Sequence, residues 1–349
     1  MRIAHISLER GWRGGERQTL YLMEGLRARG HDCHLIARNN EAFTAHVSRK
    51  GFRVQIIRKP FVIRGGMLSR FDIVHVHETR GLQMAALWKP IHARPIVATR
   101  RVDNTPSGNP LTRLMYGQAD RLVVISDKIR GVMIDWGMKD EKISVIPDAV
   151  DLGTKPSEQS VSKLRERFRS KKVIGCVASL EKRKDHHTLL KAASIVQEKR
   201  DDAVFVLIGD GDLRFDLERE ASRLGLRNVV FEGYQVDPYS YYRVFDIFVM
   251  TSRQEGLGSS ILDAFFYRVP VVVTAAGGMP EIVKDGLTGL LAEPGNPLMI
   301  AQAILRMLDD MALRGRCVEN AHALLMERFT IEHMSESYEL VYHDVLSHG

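Results

Sequence analysis

The sequence predicts an α/β protein with two doubly wound, mostly parallel sheets and a mostly helical C-terminal segment. Short apolar runs rich in β-branched residues alternate with segments of helical spacing, as they do when helices cover both faces of a parallel sheet. This alternation stops at the polar stretch DLGTKPSEQS (151–160) and then starts again. The 349 residues are also more than one core usually serves. We therefore expect two α/β domains that face each other across a ligand-binding crevice.

The first half begins with a strand, a glycine-containing loop and a helix. They read RIAHISL, ERGWRGGE and RQTLYLMEGLRARG. Leu20, Met23 and Leu26 share one face of that helix, and Gly30 ends it. Further strands are predicted on the same grounds at HDCHLIAR, FRVQIIR, FDIVHVHE, PIVATRR and DRLVVIS. The first domain is predicted to cover residues 1–153.

The second half repeats the pattern after a predicted linker at 154–170. Its strands are predicted at KKVIGCVASL, AVFVLIGDGD, NVVFEGY, DIFVMTS and VPVVVTA, with helices between them. The second domain is predicted to cover residues 171–325. The chain from Met299 onward has almost wholly helical spacing, and its last helix, 326–349, is expected to cross back to the first domain.

Composition excludes several classes of protein. With 44% hydrophobic and 27% charged residues the chain is an ordinary globular protein. No apolar run approaches the roughly 20 residues that span a bilayer, and the apolar start is too short for a secretory signal. The three cysteines, Cys33, Cys176 and Cys317, are isolated, which excludes a disulfide framework or a structural zinc site and fits a reducing cytoplasm.

The net charge of +7 is unevenly distributed. Residues 1–150 carry 25 Lys and Arg against 14 Asp and Glu, a net +11, so the remainder of the chain carries −4. A basic first half favours an anionic partner: a membrane surface, a phosphorylated acceptor or nucleic acid. Nucleic acid is the weakest of the three because aromatic residues are not interleaved with the basic ones. A solvated basic surface without a partner is the alternative.

The stretch RQEGLGSSILDAFF (253–266) combines two acids with a glycine-rich turn. It follows the strand DIFVMTS, so Glu255 lies in the loop and Asp263 more than one turn into the next helix. The amides of Gly256 to Ser259 lie at the positive end of that helix and can hold an anion. A carboxylate accepts hydrogen bonds from hydroxyl groups, so the combination suits a sugar nucleotide. A capped helix without a ligand is the alternative.

Two other loops offer groups for phosphate. Lys182, Arg183 and Lys184 precede an amphipathic helix, where their charges can neutralise a diphosphate, although a solvated loop is an equal alternative. Gly14 and Gly15 allow close backbone approach ahead of a helix N-terminus, although a plain turn is also possible. The loop lacks the G-x-G-x-x-G pattern of dinucleotide-binding proteins.

Two apparent metal motifs are rejected. His186 and His187 are adjacent, so they face apart on a helix, and no third ligand has suitable spacing. The acidic turn GDGD (209–212) is explained by a change from strand to helix.

Across nearly its whole length the sequence resembles family 4 of the glycosyltransferases, the group 1 enzymes of the GT-B fold with two Rossmann-like domains. The resemblance rests on RGGERQTLYLMEGLRARGHD, FDIVHVHE, ADRLVVISDKIR, KISVIPDAVD, LIGDGD and SRQEGLGSSILDAFFYRVPVVVTAAGGMPEIVKDGLTGLLAEPGN. The last block is the most specific. The first half is most similar to bacterial members that build surface polysaccharide or lipopolysaccharide.

The resemblance implies transfer of a sugar from a nucleotide donor with retained anomeric configuration and without a metal or other cofactor. Glu255 matches the acid that contacts the donor sugar, and Asp263 matches the acid that holds the ribose. Lys184 matches the diphosphate-binding lysine, with Arg183 beside it. The remaining donor positions implied are Gly14, Gly15, Tyr234 (near the base), Gly256, Leu257, Gly258 and Ser259, and the acceptor positions are His77, Arg100 and Arg101.

The sequence departs from the family pattern at four places. Asp263 is one methylene shorter than the usual Glu. Ser179 stands where the family has a phosphate-binding arginine, and Arg183 is the candidate substitute. Arg100 and Arg101 replace a frequent histidine, which offers cations to a phosphorylated acceptor, and Asp148 replaces a frequent asparagine.

We therefore expect a cytoplasmic glycosyltransferase that uses a UDP- or GDP-linked sugar and a glycan or lipid-linked acceptor. Peripheral contact with the anionic inner face of the plasma membrane, through the basic first half, is also expected. A sugar-nucleotide epimerase or binding protein of the same fold is the main alternative. A glycoside hydrolase that uses Glu255 and Asp263 requires two carboxylates, but the basic and glycine-rich loops argue against it.

Overall fold

The computed structural model describes residues 1–39, 41–58 and 65–347 and divides into two compact units. The first unit comprises Met1–Ala149 and the chain from Phe329 onward, and the second comprises Val150–Arg328. Each unit has one parallel sheet with helices, so the predicted α/β class with two doubly wound sheets is confirmed. The boundary lies near the predicted limit at 153, and part of the predicted linker is helical.

The first unit has a sheet of seven parallel strands in the order β3-β2-β1-β4-β5-β6-β7. Its central strands are buried along almost their whole length, as expected for a sheet covered on both faces. The strands are β1 (Arg2–Ser7), β2 (Asp32–Arg38), β3 (Arg53–Ile57), β4 (Ile73–Val76), β5 (Ile96–Arg100), β6 (Arg121–Val124) and β7 (Ile143–Val145).

Helices connect these strands in sequence. They are α1 (Gly14–Ala28), α2 (Ala42–Arg49), α3 (Gly65–Leu68), α4 (Thr79–Leu87), α5 (Lys89–His92), α6 (Pro110–Gly117) and α7 (Asp127–Asp135). The loop after β1 is shorter than predicted, because α1 already begins at Gly14. Arg13 is extended, and its amide donates to Oε2 of Glu16 at 3.0 Å, which starts the helix there.

The second unit has a sheet of six parallel strands in the order β10-β9-β8-β11-β12-β13. The strands are β8 (Lys172–Val177), β9 (Ala203–Ile208), β10 (Val229–Gly233), β11 (Ile247–Met250), β12 (Val271–Thr274) and β13 (Leu290–Ala292). The helices are α8 (Glu158–Arg167), α9 (His186–Gln197), α10 (Arg214–Arg223), α11 (Tyr239–Tyr242), α12 (Ser259–Phe266), α13 (Met279–Ile282), α14 (Pro297–Asp309) and α15 (Met311–Arg328).

The last helix, α16 (Ile331–Ser347), packs against α1 in the first unit. Gly25 lets the two helices approach closely, since a Cβ at this position would lie 2.8 Å from Ile331 and from Ser335. Met334, Tyr338 and Tyr342 enter the same core as β1 and β4. The predicted return of the last segment to the first domain is thus what the structure shows.

Candidate functional site

The basic loop and the loop of Glu255 lie at the same edge of the second sheet. Lys182–Lys184 form a short 3-10 turn after β8, and Glu255 follows β11. Strands β8 and β11 are parallel neighbours, so their carboxyl ends meet. This strand order brings together groups that are 71 residues apart in the sequence.

Lys184 and Glu255 form a hydrogen-bonded ion pair in which Nζ of the lysine donates to Oε2 of the glutamate. The side chains are 10% and 12% exposed, so both charges are largely withdrawn from water. Oε2 also accepts from Ser252 Oγ at 3.3 Å, and Nη1 of Arg183 lies 3.9 Å from Oε1. The three residues predicted as catalytic are therefore brought together.

Three residues outside the predicted site, Asp185, Thr251 and Arg253, hold the two loops together. Thr251 Oγ1 lies 3.1 Å from the carbonyl oxygens of both Lys184 and Asp185. The amide of Arg253 donates to the carbonyl of Arg183 at 2.8 Å, and its Nε donates to Asp185 Oδ2 at 2.7 Å. Thr251 and Arg253 flank the acidic motif, but the sequence does not reveal that they contact the other loop.

The backbone of Glu255 is fixed by the glycine pair that follows β12. Gly278 donates its amide to the carbonyl of Glu255 at 3.0 Å. Gly277 has φ +56°, and a Cβ there would overlap that same carbonyl. The GGMPEIVKDGLTG segment lies next to the acidic motif through these contacts.

The turn from Gly256 to Ser259 leads into α12. Gly258 has φ +93° and is the N-cap, Leu257 is buried, and Ser259 is the first helical residue. The loop amides therefore stand at the positive end of the helix, as predicted. Asp263 is only 4% exposed on α12, and its charge helps burial to raise the pKa of Tyr267.

Tyr234 and Ser179 follow two strands of the same sheet, β10 and β8. Tyr234 follows β10 directly and is 59% exposed. Ser179 lies between β8 and the basic turn, so the position at which the family has an arginine carries no charge in this chain. Arg183 lies in the turn with Lys184, where Nε donates to Glu181 Oε2 at 3.1 Å.

The first unit has its own cavity, of about 470 Å³, at the carboxyl ends of β1, β4 and β5. Gly15, His77, Arg100 and Arg101 line it, which brings four predicted residues together. Gly14 begins α1 beside them. Glu16 and Glu78 also line the cavity and were not predicted.

The two arginines have different surroundings. Nη2 of Arg100 donates to the carbonyl of Asn104, and Nη1 donates to the hydroxyl of Tyr116 at 3.0 Å. Nε of Arg101 donates to Asp148 Oδ1 at 3.1 Å, with both side chains almost buried. Two departures from the family pattern, Arg101 and Asp148, therefore form one ion pair. Nη2 of Arg101 is buried and has no hydrogen-bond partner in the part of the chain that the structure describes.

Burial raises the pKa of both cavity glutamates. That of Glu78 rises to about 7, opposed by the amides of Gly81, Arg80 and Leu8, which donate to its carboxylate. The pKa of Glu16 is also raised, chiefly by burial. Near neutral pH a fraction of the Glu78 carboxyl groups is therefore protonated.

Three buried histidines lie beside the cavity: His5 on β1, His75 on β4 and His77 directly after β4. His5 Nδ1 and His77 Nε2 are 3.0 Å apart, and His77 Nδ1 lies 3.5 Å from Nη1 of Arg101. Both nitrogens of His75 bond hydroxyls, of Tyr342 and Thr99, at 2.7 Å. Nitrogens of the three rings lie within 4.8 Å of one another, the spacing of a metal site. The hydroxyl partners and the Arg101 charge favour a neutral hydrogen-bonded network instead, since a cation here would face a second cation.

The adjacent histidines His186 and His187 have separate partners. His187 bonds Glu220, whereas His186 is buried beside Cys176, with 3.9 Å between Nε2 and Sγ. Burial lowers the pKa of His186 to about 4.

Comparison with known families accounts for both units. The family described as Glycosyltransferase Family 4 matches residues 12–154, and Glycosyl transferases group 1 matches residues 160–324. The chain belongs to the group 1 glycosyltransferases. The family resemblance inferred from the motifs is thereby confirmed. Among the described residues of this glycosyltransferase, no helix is both long and apolar enough to cross a membrane.

Two relatives and one solved structure show the range of similarity. The lipopolysaccharide core biosynthesis glycosyltransferase LpsE of Rhizobium meliloti (strain 1021) is 33% identical over 168 residues, about half of each chain (48%). The N-acetyl-alpha-D-glucosaminyl L-malate synthase of Bacillus anthracis is 26% identical over 80% of this chain and 76% of its own. The structure of Anabaena Alr3699/HepE in complex with UDP-glucose has a TM-score of 0.87 at 22% identity and covers 100% of both chains. It confirms the predicted GT-B fold.

Proposed function

We propose that this glycosyltransferase moves a sugar, with retained anomeric configuration and without a metal, from a nucleotide sugar to a glycan or lipid-linked acceptor. The observation that carries the proposal is the ion pair of Lys184 and Glu255, with Arg183 beside it. Cations and a carboxylate within one small site match the two halves of a nucleotide sugar, diphosphate and hydroxyl groups. The UDP-glucose bound to HepE supports a donor of this class.

The mechanism that we infer is electrostatic. As the bond between the anomeric carbon and the phosphate oxygen breaks, negative charge develops on the leaving diphosphate. Lys184 and Arg183 stabilise that charge, and the amides ahead of α12 add to the field. Glu255 orients the sugar hydroxyls. The acceptor hydroxyl attacks from the face that the diphosphate leaves, and the departing phosphate takes its proton.

The acceptor belongs to the cavity of the first unit in this proposal. Arg101 offers buried donors. Its Nη2 has no hydrogen-bond partner among the described residues, so an anionic or hydroxyl-rich group of an acceptor satisfies it. Arg100 instead holds the loop at Asn104. LpsE is named for lipopolysaccharide core biosynthesis, which supports a role in bacterial surface polysaccharide synthesis. In this proposal the reaction takes place in the cytoplasm.

A thermal-shift panel of UDP-, GDP- and ADP-sugars, followed by transfer assays, tests this proposal. We expect one nucleotide class to stabilise the protein, by about 2.7 kcal/mol at a concentration 100 times Kd. Lys184→Met and Glu255→Gln should each lower kcat about 10²–10³-fold. The matched control is Lys182→Met, an exposed lysine in the same turn, which should keep wild-type rates.

Full activity in the Lys184 and Glu255 variants would refute the assignment. An epimerised sugar released from the donor alone, without any dependence on acceptor, would identify an epimerase instead. Cleavage of a simple glycoside without nucleotide would identify a hydrolase.

A further inference from the structure

The two charges that the proposed function assigns to the donor are bonded to each other. Nζ of Lys184 donates to Oε2 of Glu255, and both side chains are largely buried. The lysine is assigned to the diphosphate and the glutamate to the sugar hydroxyls, so each group is occupied by the other before a donor binds. The ion pair therefore competes with the ligand for both of its members.

The backbones on the two sides of this ion pair are held in place. Thr251 Oγ1 lies 3.1 Å from the carbonyl oxygen of Lys184, and the amide of Lys184 donates to the carbonyl of Glu181 at 3.0 Å. On the other side, the carbonyl of Glu255 accepts from the amide of Gly278 at 3.0 Å. A ligand that separates the two charges therefore moves the ammonium or the carboxylate rather than the loops.

The carboxylate of Glu255 has few other partners when the lysine turns away. Ser252 Oγ lies 3.3 Å from Oε2, and Nη1 of Arg183 lies 3.9 Å from Oε1, beyond hydrogen-bonding distance. Within the ranges that the structure describes, no further hydrogen bond reaches this carboxylate. A largely buried carboxylate that loses its cation is destabilised, whereas the hydroxyl groups of a donor sugar can replace the lost bond.

The two cations predicted to bind the diphosphate therefore differ in availability. Arg183 is 44% exposed and its partner Glu181 30% exposed, so water screens that ion pair. Lys184 is withheld by Glu255 instead. A nucleoside diphosphate alone can take Lys184 only by leaving Glu255 without its cation, whereas an intact nucleotide sugar supplies bonds to both.

We propose that the ion pair of Lys184 and Glu255 selects the intact nucleotide sugar over the nucleoside diphosphate that the reaction releases. This inference rests on the proposed function and adds a specificity element to it. The diphosphate releases Glu255 to bind the sugar, and the sugar releases Lys184 to bind the diphosphate, so the two halves of the donor bind cooperatively. After transfer the ion pair re-forms and weakens the hold on the product.

Simple repulsion between charges is the alternative cause of such selectivity. A carboxylate close to a diphosphate weakens its binding whether or not Lys184 is present. The ion pair opposes the diphosphate only through the lysine that it withholds. The two explanations therefore differ in a variant that lacks the lysine.

Titration calorimetry of the full chain with UDP, GDP and ADP tests the inference. Glu255→Gln removes the charge that holds Lys184, so it should tighten the binding of one of these nucleotides by about ten-fold, a usual size for coupled sites. In a Lys184→Met background the same change should leave that affinity within about two-fold, because no lysine remains to be released. Thermal denaturation without ligand checks that each variant folds, and Lys184→Gln replaces Lys184→Met if the latter does not.

Asp210→Asn is the matched control for a general change of charge. Asp210 lies just beyond the carboxyl end of β9, the strand beside β8, and its side chain is 55% exposed and 3.8 Å from Arg214. The substitution removes the same charge at the same edge of the sheet without touching the ion pair. It should leave the affinity for the nucleotide unchanged.

An affinity that Glu255→Gln leaves unchanged or weakens overturns the inference. An equal gain in the presence and absence of Lys184 also overturns it and identifies repulsion. Stabilisation by nucleotide sugars is measured in parallel. If a nucleotide sugar stabilises the wild type while the effect of Glu255→Gln is missing, only the selection is wrong; if neither nucleotides nor nucleotide sugars bind the wild type or the variants, the proposed function is wrong as well.

Discussion

The position of Glu255 depends on a residue outside its own loop, Gly277. Gly277 has φ +56°, and a methyl group there overlaps the carbonyl of Glu255. Gly277→Ala should therefore displace the glutamate from Lys184 and lower transfer at least ten-fold, since small displacements of a positioning group are costly. Transfer kinetics with saturating donor measure the effect.

Gly286→Ala separates the steric effect from backbone strain. Gly286 has a similar φ of +68°, but no atom of the described residues lies within 4 Å of the Cβ that would be added. Both variants should lose about 1–2 kcal/mol of stability from the left-handed conformation, and only Gly277→Ala should lose activity beyond that. Equal losses of activity in the two variants would contradict the role of Gly277.

At the same scale, the sequence predicts residue types more securely than it predicts contacts. It predicts Lys184 and Glu255 because both belong to motifs with a chemical purpose. It does not predict that Thr251 bonds the basic loop, since a threonine after a strand has many ordinary uses. Nor does it predict that Arg101 and Asp148 pair, because their partnership depends on the approach of two segments 47 residues apart.

At the scale of elements, the histidine network on β1 and β4 makes the first unit sensitive to acid. Burial lowers the pKa of His5 to about 3 and holds those of His75 and His77 well below 6.5. Below pH 6.5 each histidine takes up a proton in the unfolded chain and stays neutral in the folded one. Each therefore contributes stability that is present above pH 6.5 and is lost as the pH falls, by about 1.4 kcal/mol per pH unit.

The variant His75→Gln isolates this contribution, because glutamine can still bond a hydroxyl but does not titrate. Between pH 6.5 and 5 its free energy of unfolding should fall less steeply than that of the wild type, by about 1.4 kcal/mol per pH unit. Glu78, whose raised pKa has the opposite effect, is common to both proteins and cancels. The exposed His343→Gln should keep the wild-type slope, and an unchanged slope in His75→Gln would contradict the network.

Denaturation monitored by tryptophan fluorescence measures these slopes in the first unit alone. All three tryptophans, Trp12, Trp88 and Trp136, belong to that unit.

The strands and helices themselves were largely predictable from the sequence, because their alternation is a local pattern. The predicted start of α1 is wrong, since the hydrogen bond from the backbone amide of Arg13 to the carboxylate of Glu16 overrides the low helix propensity of two glycines.

At the scale of the whole molecule, the chain leaves the first unit at Ala149 and returns to it at Phe329. Tyr342 of α16 is fully buried in the first unit and bonds His75. Tyr342→Ala should therefore destabilise the first unit by about 3–5 kcal/mol through the cavity that it leaves. The second unit contains Lys184 and Glu255 and none of this core, so its donor-dependent transition should not move. Calorimetry with and without nucleotide sugar follows the unfolding transition of the second unit, and tryptophan fluorescence follows that of the first unit.

Leu340→Ala is the control, at an exposed position of the same helix. It should change the stability of neither unit by more than about 0.5 kcal/mol. A parallel shift of both transitions in Tyr342→Ala would show instead that the two units unfold together, and that the C-terminal helix stabilises both.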